Sequence, residues 1–144
     1  MPIRPEMRDR YPDNWPEIRT AILERAGNRC ERCKAPNRTV IARGCDKDEG
    51  TYMLDDANVY SAETGEHLGR CKMSEYCASH GVGVVLTIAH LHDPDPANCD
   101  PENLAALCQR CHNKLDAPMR AKNARETRRK RKAVGDLFEE LAND

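Results

Sequence analysis

The chain has 144 residues, 39% of them hydrophobic but only 4% aromatic, which suffices for one domain and a tail but supplies little large apolar surface to hold them. A metal staple is therefore expected. No apolar run reaches the roughly 20 residues that span a bilayer. The opening Met1-Pro2-Ile3-Arg4-Pro5 also lacks the apolar stretch of a secretory signal. The expected setting is cytoplasmic, without a membrane, where eight cysteines stay reduced and indicate metal rather than disulfides. The net charge of −1 conceals a segregation: residues 46–109 carry 3 basic against 12 acidic side chains, and residues 110–132 carry 10 against 2. The whole-chain charge thus says nothing about partners, whereas the basic block is suited to nucleic acid.

In chain order, residues 13–27 read as a helix. Asp13 or Asn14 is placed to cap it, Pro16 suits its first turn and Gly27 its end. Trp15, Ile18, Ile22 and Leu23 fall on one face, toward a core. A compact turn, Asn28 to Asn37, then presents Cys30 and Cys33. Residues 38–81 read as an acidic, β-rich insertion, with a short strand near Thr39-Val40-Ile41-Ala42 and a hairpin over 58–68 turning at Thr64-Gly65. Residues 82–91 read as one strand running into His90, and 93–101 as a polar loop. The tail from Pro118 to Leu141 reads as a separate helix, basic to Lys132 and then amphipathic around Val134, Leu137, Phe138 and Leu141. Leu137, Phe138 and Leu141 could form a small contact surface.

Two Cys-x-x-Cys pairs, Cys30/Cys33 and Cys108/Cys111, can each aim two thiolates at one ion. Together they make the closed tetrahedral set expected of structural Zn2+. No βαβ context favours a redox role. Cys45, Cys71, Cys77 and Cys99 lack such symmetry. Cys71, Cys77 and His80 could touch a second metal, although buried or free thiols suit them as well, and His67 and His80 otherwise read as loop or surface histidines.

Taken singly, His90 is an ordinary strand histidine, Asn103 a turn residue and Asp116 a cap for a following helix. In order, however, His90-Leu91-His92-Asp93 closing a strand, a loop, and Asn103-Leu104-Ala105-Ala106-Leu107-Cys108-Gln109-Arg110-Cys111-His112 opening a helix resemble the HNH endonuclease family. The resemblance covers about residues 28–34 and 84–116, with the helix before the first cysteine pair also similar. It implies an α+β fold with a small ββα-metal core at 84–116, a zinc knuckle, inserted β-hairpins and helical N- and C-terminal segments. It further implies DNA phosphodiester hydrolysis with His90 as general base, Asn103 orienting it, and His112 holding a catalytic Mg2+ or other divalent ion. Ala89 stands where many members carry a metal ligand. Asp116, His92 or Asp93 is the candidate replacement, His92 because it would share a strand face with His90 and Asp116 because it would share a helix face with His112. Arg110, Lys114, Arg120, Lys122, Arg125, Arg128 and Arg129, continuing through Lys130, Arg131 and Lys132, are the expected phosphate contacts. Packaging of phage DNA, restriction, homing and defence all use this family. The rival expectation is a non-catalytic zinc module that binds nucleic acid, or a degenerate HNH protein.

Overall fold

A computed structural model of the chain describes residues 5–142 and divides it into two units, Met1–His112 and Asn113–Asp144. The fold is α+β. Within the first unit a short 3-10 helix, Pro5–Arg10, precedes helix α1, Trp15–Arg25. Asn14 occupies the capping position of α1, but its side chain caps nothing, and Pro16 provides the start of the helix. At the other end, Gly27 and Asn28 both adopt the left-handed conformation that ends helices. Ile22 is the fully buried residue of α1, with Trp15, Ile18 and Leu23 half-buried beside it.

The acidic insertion folds as the expected β-hairpins, joined into one sheet. Strands β1 (Val40–Gly44), β2 (Thr51–Met53), β3 (Asn58–Ser61), β4 (His67–Arg70) and β5 (Ala78–Gly83) are all antiparallel, in the order β4-β3-β2-β1-β5. The β3–β4 connection turns through Thr64 and Gly65, and Met53, Val59 and Tyr76 form a small core on the sheet.

The run expected to be one strand over 82–91 is split. β5 ends at Gly83, and a second strand, β6 (Thr87–His90), pairs with β7 (Leu104–Leu107) in a separate two-stranded sheet. Between them Val84 exchanges backbone hydrogen bonds with Thr39 and Arg38, and the Asn37 side chain takes the Leu86 N–H. Val84 and Leu86 are both buried. An apolar run registers burial but not the corner at which a chain changes sheets.

Helix α2 runs unbroken over Gln109–Ala142, its first turn in the first unit and the remainder in the second. The helix expected to begin at Pro118 is thus continuous with the one that starts beside Cys108. Proline removes one N–H, but its fixed φ is compatible with a helix, and strong helix formers surround it. Asp116 accordingly lies inside a helix and caps none. In the second unit the side chains described, up to Glu139, are exposed from Ala117 onward, including Val134, Leu137 and Phe138. The Leu141 side chain lies outside the described residues. Among the described residues no helix is long and apolar enough to cross a membrane.

The β3–β4 turn is pressed against the cysteine knuckle. Gly65 has φ +76°, and a Cβ there would come within 2.8 Å of the Cys33 carbonyl oxygen. Gly65→Ala should therefore cost on the order of 1–3 kcal/mol in urea or thermal unfolding. Gly83→Ala, where a Cβ meets nothing within 4 Å and φ is not left-handed, should be neutral or stabilising in the same assay.

Candidate metal centre and the histidine hairpin

The first cysteine pair is presented by a knuckle closed through its own backbone. The Cys30 N–H donates to Ala35 O, and Lys34, in the left-handed region, returns its N–H to Cys30 O. The second pair straddles the junction of β7 and α2. All four sulfurs lie within 4.8 Å of one another, with Cys33 and Cys108 3.6 Å apart. Two thiolates on tetrahedral zinc are about 3.8 Å apart, from Zn–S bonds of about 2.3 Å. None of the four is in a disulfide, and Cys111, the most accessible, is 3% exposed. The set fits one ion such as zinc.

The surroundings fit a negatively charged centre. Arg43 places Nη2 3.9 Å from the Cys108 sulfur and lays its guanidinium over the Tyr52 ring, while Nη1 is buried with no hydrogen-bond partner among the described residues. A half-buried cation with one buried, unmatched donor is costly beside four neutral thiols and compensated beside four thiolates. Contacts among the thiols perturb them in opposite directions. The Cys111 thiol draws Cys108 down to about 6. Contacts from Cys108, Cys111 and Cys33 lower Cys30, and their counterparts push Cys33 and Cys111 up. Sequence reading missed Arg43 and Tyr52, whose hydroxyl donates to Cys33 O, because both come from the insertion.

The knuckle also docks onto β7. The Glu31 N–H donates to Ala106 O, the Glu31 carboxylate accepts from the Ala106 N–H at 2.7 Å, and Arg25 pairs with that carboxylate at 2.9 Å. Arg25 also reaches the carbonyls of Pro101 and Leu104. One guanidinium thus joins the end of α1, the knuckle and the segment around Asn103.

In the hairpin His90 pairs with Leu104, and the chain bends at Leu91-His92. Since β6 stops at His90, the two-residue alternation that would have put His92 on the same face does not extend to it. Buried Asn103 uses both ends of its amide. Its Oδ1 accepts from the N–H groups of His92 and Asp93 at 2.8 and 2.9 Å, and its Nδ2 donates to the carbonyls of Asp93 and Asn98. The Asp93 carboxylate accepts from the Asp95 N–H and the Asn98 amide, and these bonds, led by that from Asp95, hold it below its ordinary range.

The His90 ring stacks on Trp15 with centroids 6.0 Å apart and meets the edge of Tyr11 at 6.2 Å. Its Nε2 is buried and has no partner among the described residues. Burial lowers the His90 pKa, against the pull of Asp93 and Asp95. Ala89 is itself buried, on the opposite side of the strand. His112, in the first turn of α2, has Nδ1 2.6 Å from Thr87 Oγ1, another partner not apparent in the sequence.

The other expected residues divide. Arg110 is engaged within the first unit, bonding Ala62 O and pairing with Glu63 at 2.9 Å, so it braces the insertion against the start of α2. Lys114, Arg120, Lys122, Arg125, Arg128 and Arg129 are exposed in the second unit, where Asp116 lies 3.9 Å from Arg120. Lys122, Arg125, Arg129 and Lys132, spaced by three, four and three residues, share one face of α2. Among the described residues three or more metal-type side chains converge in two places, the four-cysteine set and a smaller group of Cys45, Asp46 and Cys77. In the latter, the bond to Cys45 and the charge of Asp46 push the Cys77 thiol up to about 11.

The purified protein should carry at least one equivalent of zinc by elemental analysis. Stripping it with a strong chelator, or Cys108→Ser, should abolish cooperative unfolding of the first unit by circular dichroism, since structural zinc contributes about 10 kcal/mol or more to small domains.

No family model, curated protein or solved structure matches the chain, so its functional reading is carried by these side chains and their geometry.

Proposed function

We propose that the chain is a zinc-stabilised, metal-dependent endonuclease of the HNH type that hydrolyses DNA phosphodiester bonds. The observation that carries the reading is the β6–β7–α2 succession with His90 at a strand end, Asn103 stapling the intervening loop and His112 in the first helical turn. Zinc on Cys30, Cys33, Cys108 and Cys111 is structural and holds the start of α2 against the hairpin.

His90 is the general base. Neutral at physiological pH because of its burial, it accepts a proton from the attacking water at Nε2, the atom without a protein partner among the described residues. The water oxygen bonds to phosphorus as the bond to the leaving sugar oxygen breaks. Asn103 is a positioning residue, holding the backbone that follows His90. His112 holds the catalytic cation. The 2.6 Å contact between Nδ1 and Thr87 Oγ1 orients the His112 ring, and in the tautomer that carries its proton on Nδ1 a metal is bound through Nε2. Asp93 and His92, in the hairpin loop, are the candidates for a further ligand within the first unit, while Asp116 falls in the second. A hydrated Mg2+ needs only one or two protein ligands besides substrate phosphate, and it supplies charge stabilisation on the phosphate and the leaving oxygen. The exposed basic face of α2 holds the DNA backbone without reading sequence.

A second reading, a zinc module that binds DNA without cutting it, is favoured by Ala89 and by the cover of Trp15 and Tyr11 over His90. Plasmid nicking separates the two. Wild type should nick supercoiled DNA with Mg2+, Mn2+ or Ni2+, and His90→Ala should lose about 10²–10⁴-fold. Plasmid left intact with all three ions, or cut equally by His90→Ala, overturns the nuclease reading. Protonation disables the base, so activity should fall as pH drops through the His90 pKa. That pKa is lowered from 6.5, which places the acid limb below pH 6.5.

Replacing Lys122, Arg125, Arg129 and Lys132 by glutamine should weaken binding to DNA of any sequence. The slope of log affinity against log salt should flatten by about 0.9 for each phosphate that the variant no longer neutralises, measured by fluorescence anisotropy.

A further inference from the structure

The smaller cysteine group lies where the two outer ends of a strand pair come together. Cys45 follows Gly44, the last residue of β1, and Cys77 precedes Ala78, the first of β5, with Gly44 and Ala78 in register across a bulge. The Cys45 N–H extends the ladder to Cys77 O at 2.8 Å. The two sulfurs are 2.9 Å apart, and the Cys77 sulfur is 3.6 Å from Asp46 Oδ2.

We propose that Cys45, Cys77 and Asp46 form a second metal site, one that takes an exchangeable Zn2+ and leaves its fourth position open to water or an external ligand.

The frame is built independently of any ion. A Cβ at Gly44 would collide with the Asp48 carbonyl and lie 2.7 Å from the Tyr76 hydroxyl, so the loop after β1 folds back tightly only because residue 44 is glycine. The Asp48 carboxylate accepts the Cys77 N–H at 2.7 Å, and Thr51 bonds both Asp48 O and the Tyr76 hydroxyl. Asp46 holds a left-handed φ of 48°, unusual for a residue other than glycine, with its carboxylate beside the Cys77 sulfur. Three ligand atoms within 4.8 Å of one another thus come from two chain segments pinned to each other.

The donor set selects the ion. Two thiolates suit zinc or monovalent copper, and a carboxylate oxygen beside them favours the divalent ion. The sulfurs are farther apart than the roughly 2.05 Å of a disulfide. Opening them by just under 1 Å gives the spacing of about 3.8 Å that a tetrahedral zinc spans. A disulfide would leave the Asp46 carboxylate without a role, whereas an ion uses all three groups. Exposure sets the contrast with the first site. The four-cysteine set is buried, but Cys45 and Cys77 are half-exposed and Asp46 is exposed, so an ion can enter and leave from solvent. Three protein ligands with an open fourth position are the pattern of zinc sites that bind a further ligand.

Zinc titration of the full chain, reduced and free of oxygen, tests this by native mass spectrometry. Wild type should take up two zinc ions and the Cys45→Ser/Cys77→Ser double variant one, with an unchanged circular dichroism spectrum. Loaded with Co2+, the variant should lose roughly a third of the thiolate-to-metal absorption, four Co–S bonds replacing six. Two readouts do not depend on that variant folding. In wild type, the second equivalent of zinc should protect Cys45 and Cys77 from alkylation, mapped on peptides. Asp46→Asn, at an exposed position, should weaken the second equivalent at least tenfold against a chromophoric chelator. A single equivalent in reduced wild type, a double variant that takes up as many zinc ions as wild type, or alkylation of Cys45 and Cys77 unaffected by zinc each overturns the proposal.

Discussion

Four sulfurs that meet at the junction of the knuckle with β7 and α2 are the constraint on which the first unit depends. Cys33 and Cys108 are 75 positions apart in sequence and 3.6 Å apart in space. Bringing such distant segments together carries a large loss of chain entropy, which a core with few aromatic side chains does little to offset. The contacts around the sulfurs explain why the arrangement is specific. Glu31 and Ala106 exchange hydrogen bonds, Arg25 joins Glu31 to the carbonyls of Pro101 and Leu104, and Tyr52 and Gly65 seat the sheet on the Cys33 backbone. The insertion is therefore part of the wall of the cysteine site, and it contributes the Arg43 cation that four thiolates call for.

The hairpin bearing His90 is organised around a different economy. Asn103 satisfies four backbone groups with one side chain and is held in turn by the Arg25 clamp on either side of it, at Pro101 and Leu104. Against this fully satisfied network, His90 Nε2 stands out as a buried nitrogen with no partner among the described residues. Native interiors pair such atoms, and those left over mark places where water, an ion or a reactant completes the set. The same burial lowers the imidazole pKa, which suits a proton acceptor.

The two cysteine groups use opposite physical settings for similar donors. The buried set is closed by its four sulfurs and shielded from solvent, the arrangement of a structural ion. The set at the β1 and β5 ends has two sulfurs and a carboxylate at the surface. Sequence symmetry flagged the first; for a second the sequence offered Cys77 with Cys71 and His80, whereas the fold brings Cys77 to Cys45 and Asp46, because Cys45 and Cys77 belong to no shared spacing and meet only through strand pairing.

Local features were legible in the sequence wherever their cause is local. The paired Cys-x-x-Cys turns, the helix entered at Pro16 and left at Gly27 and the hairpin at Thr64-Gly65 all rest on short-range spacing or on backbone requirements of single residues, whereas the Asn103-to-His112 run, expected to open a helix, is strand β7 up to Leu107 and turns helical only at Gln109. The split of residues 82–91 into β5 and β6, the continuity of α2 through Pro118, the bracing role of Arg110 and the partnerships of Arg43, Tyr52, Thr87 and Trp15 were decided by tertiary structure. Each of these depends on what a residue far along the chain brings alongside it. Apolar periodicity carries no information about which sheet a buried strand joins, nor does a charge reveal whether it will face a carboxylate or solvent. By itself, then, the sequence determined which side chains were available for metal and for proton transfer. Packing decided which of them converge, because convergence is a property of pairs of segments and not of either one.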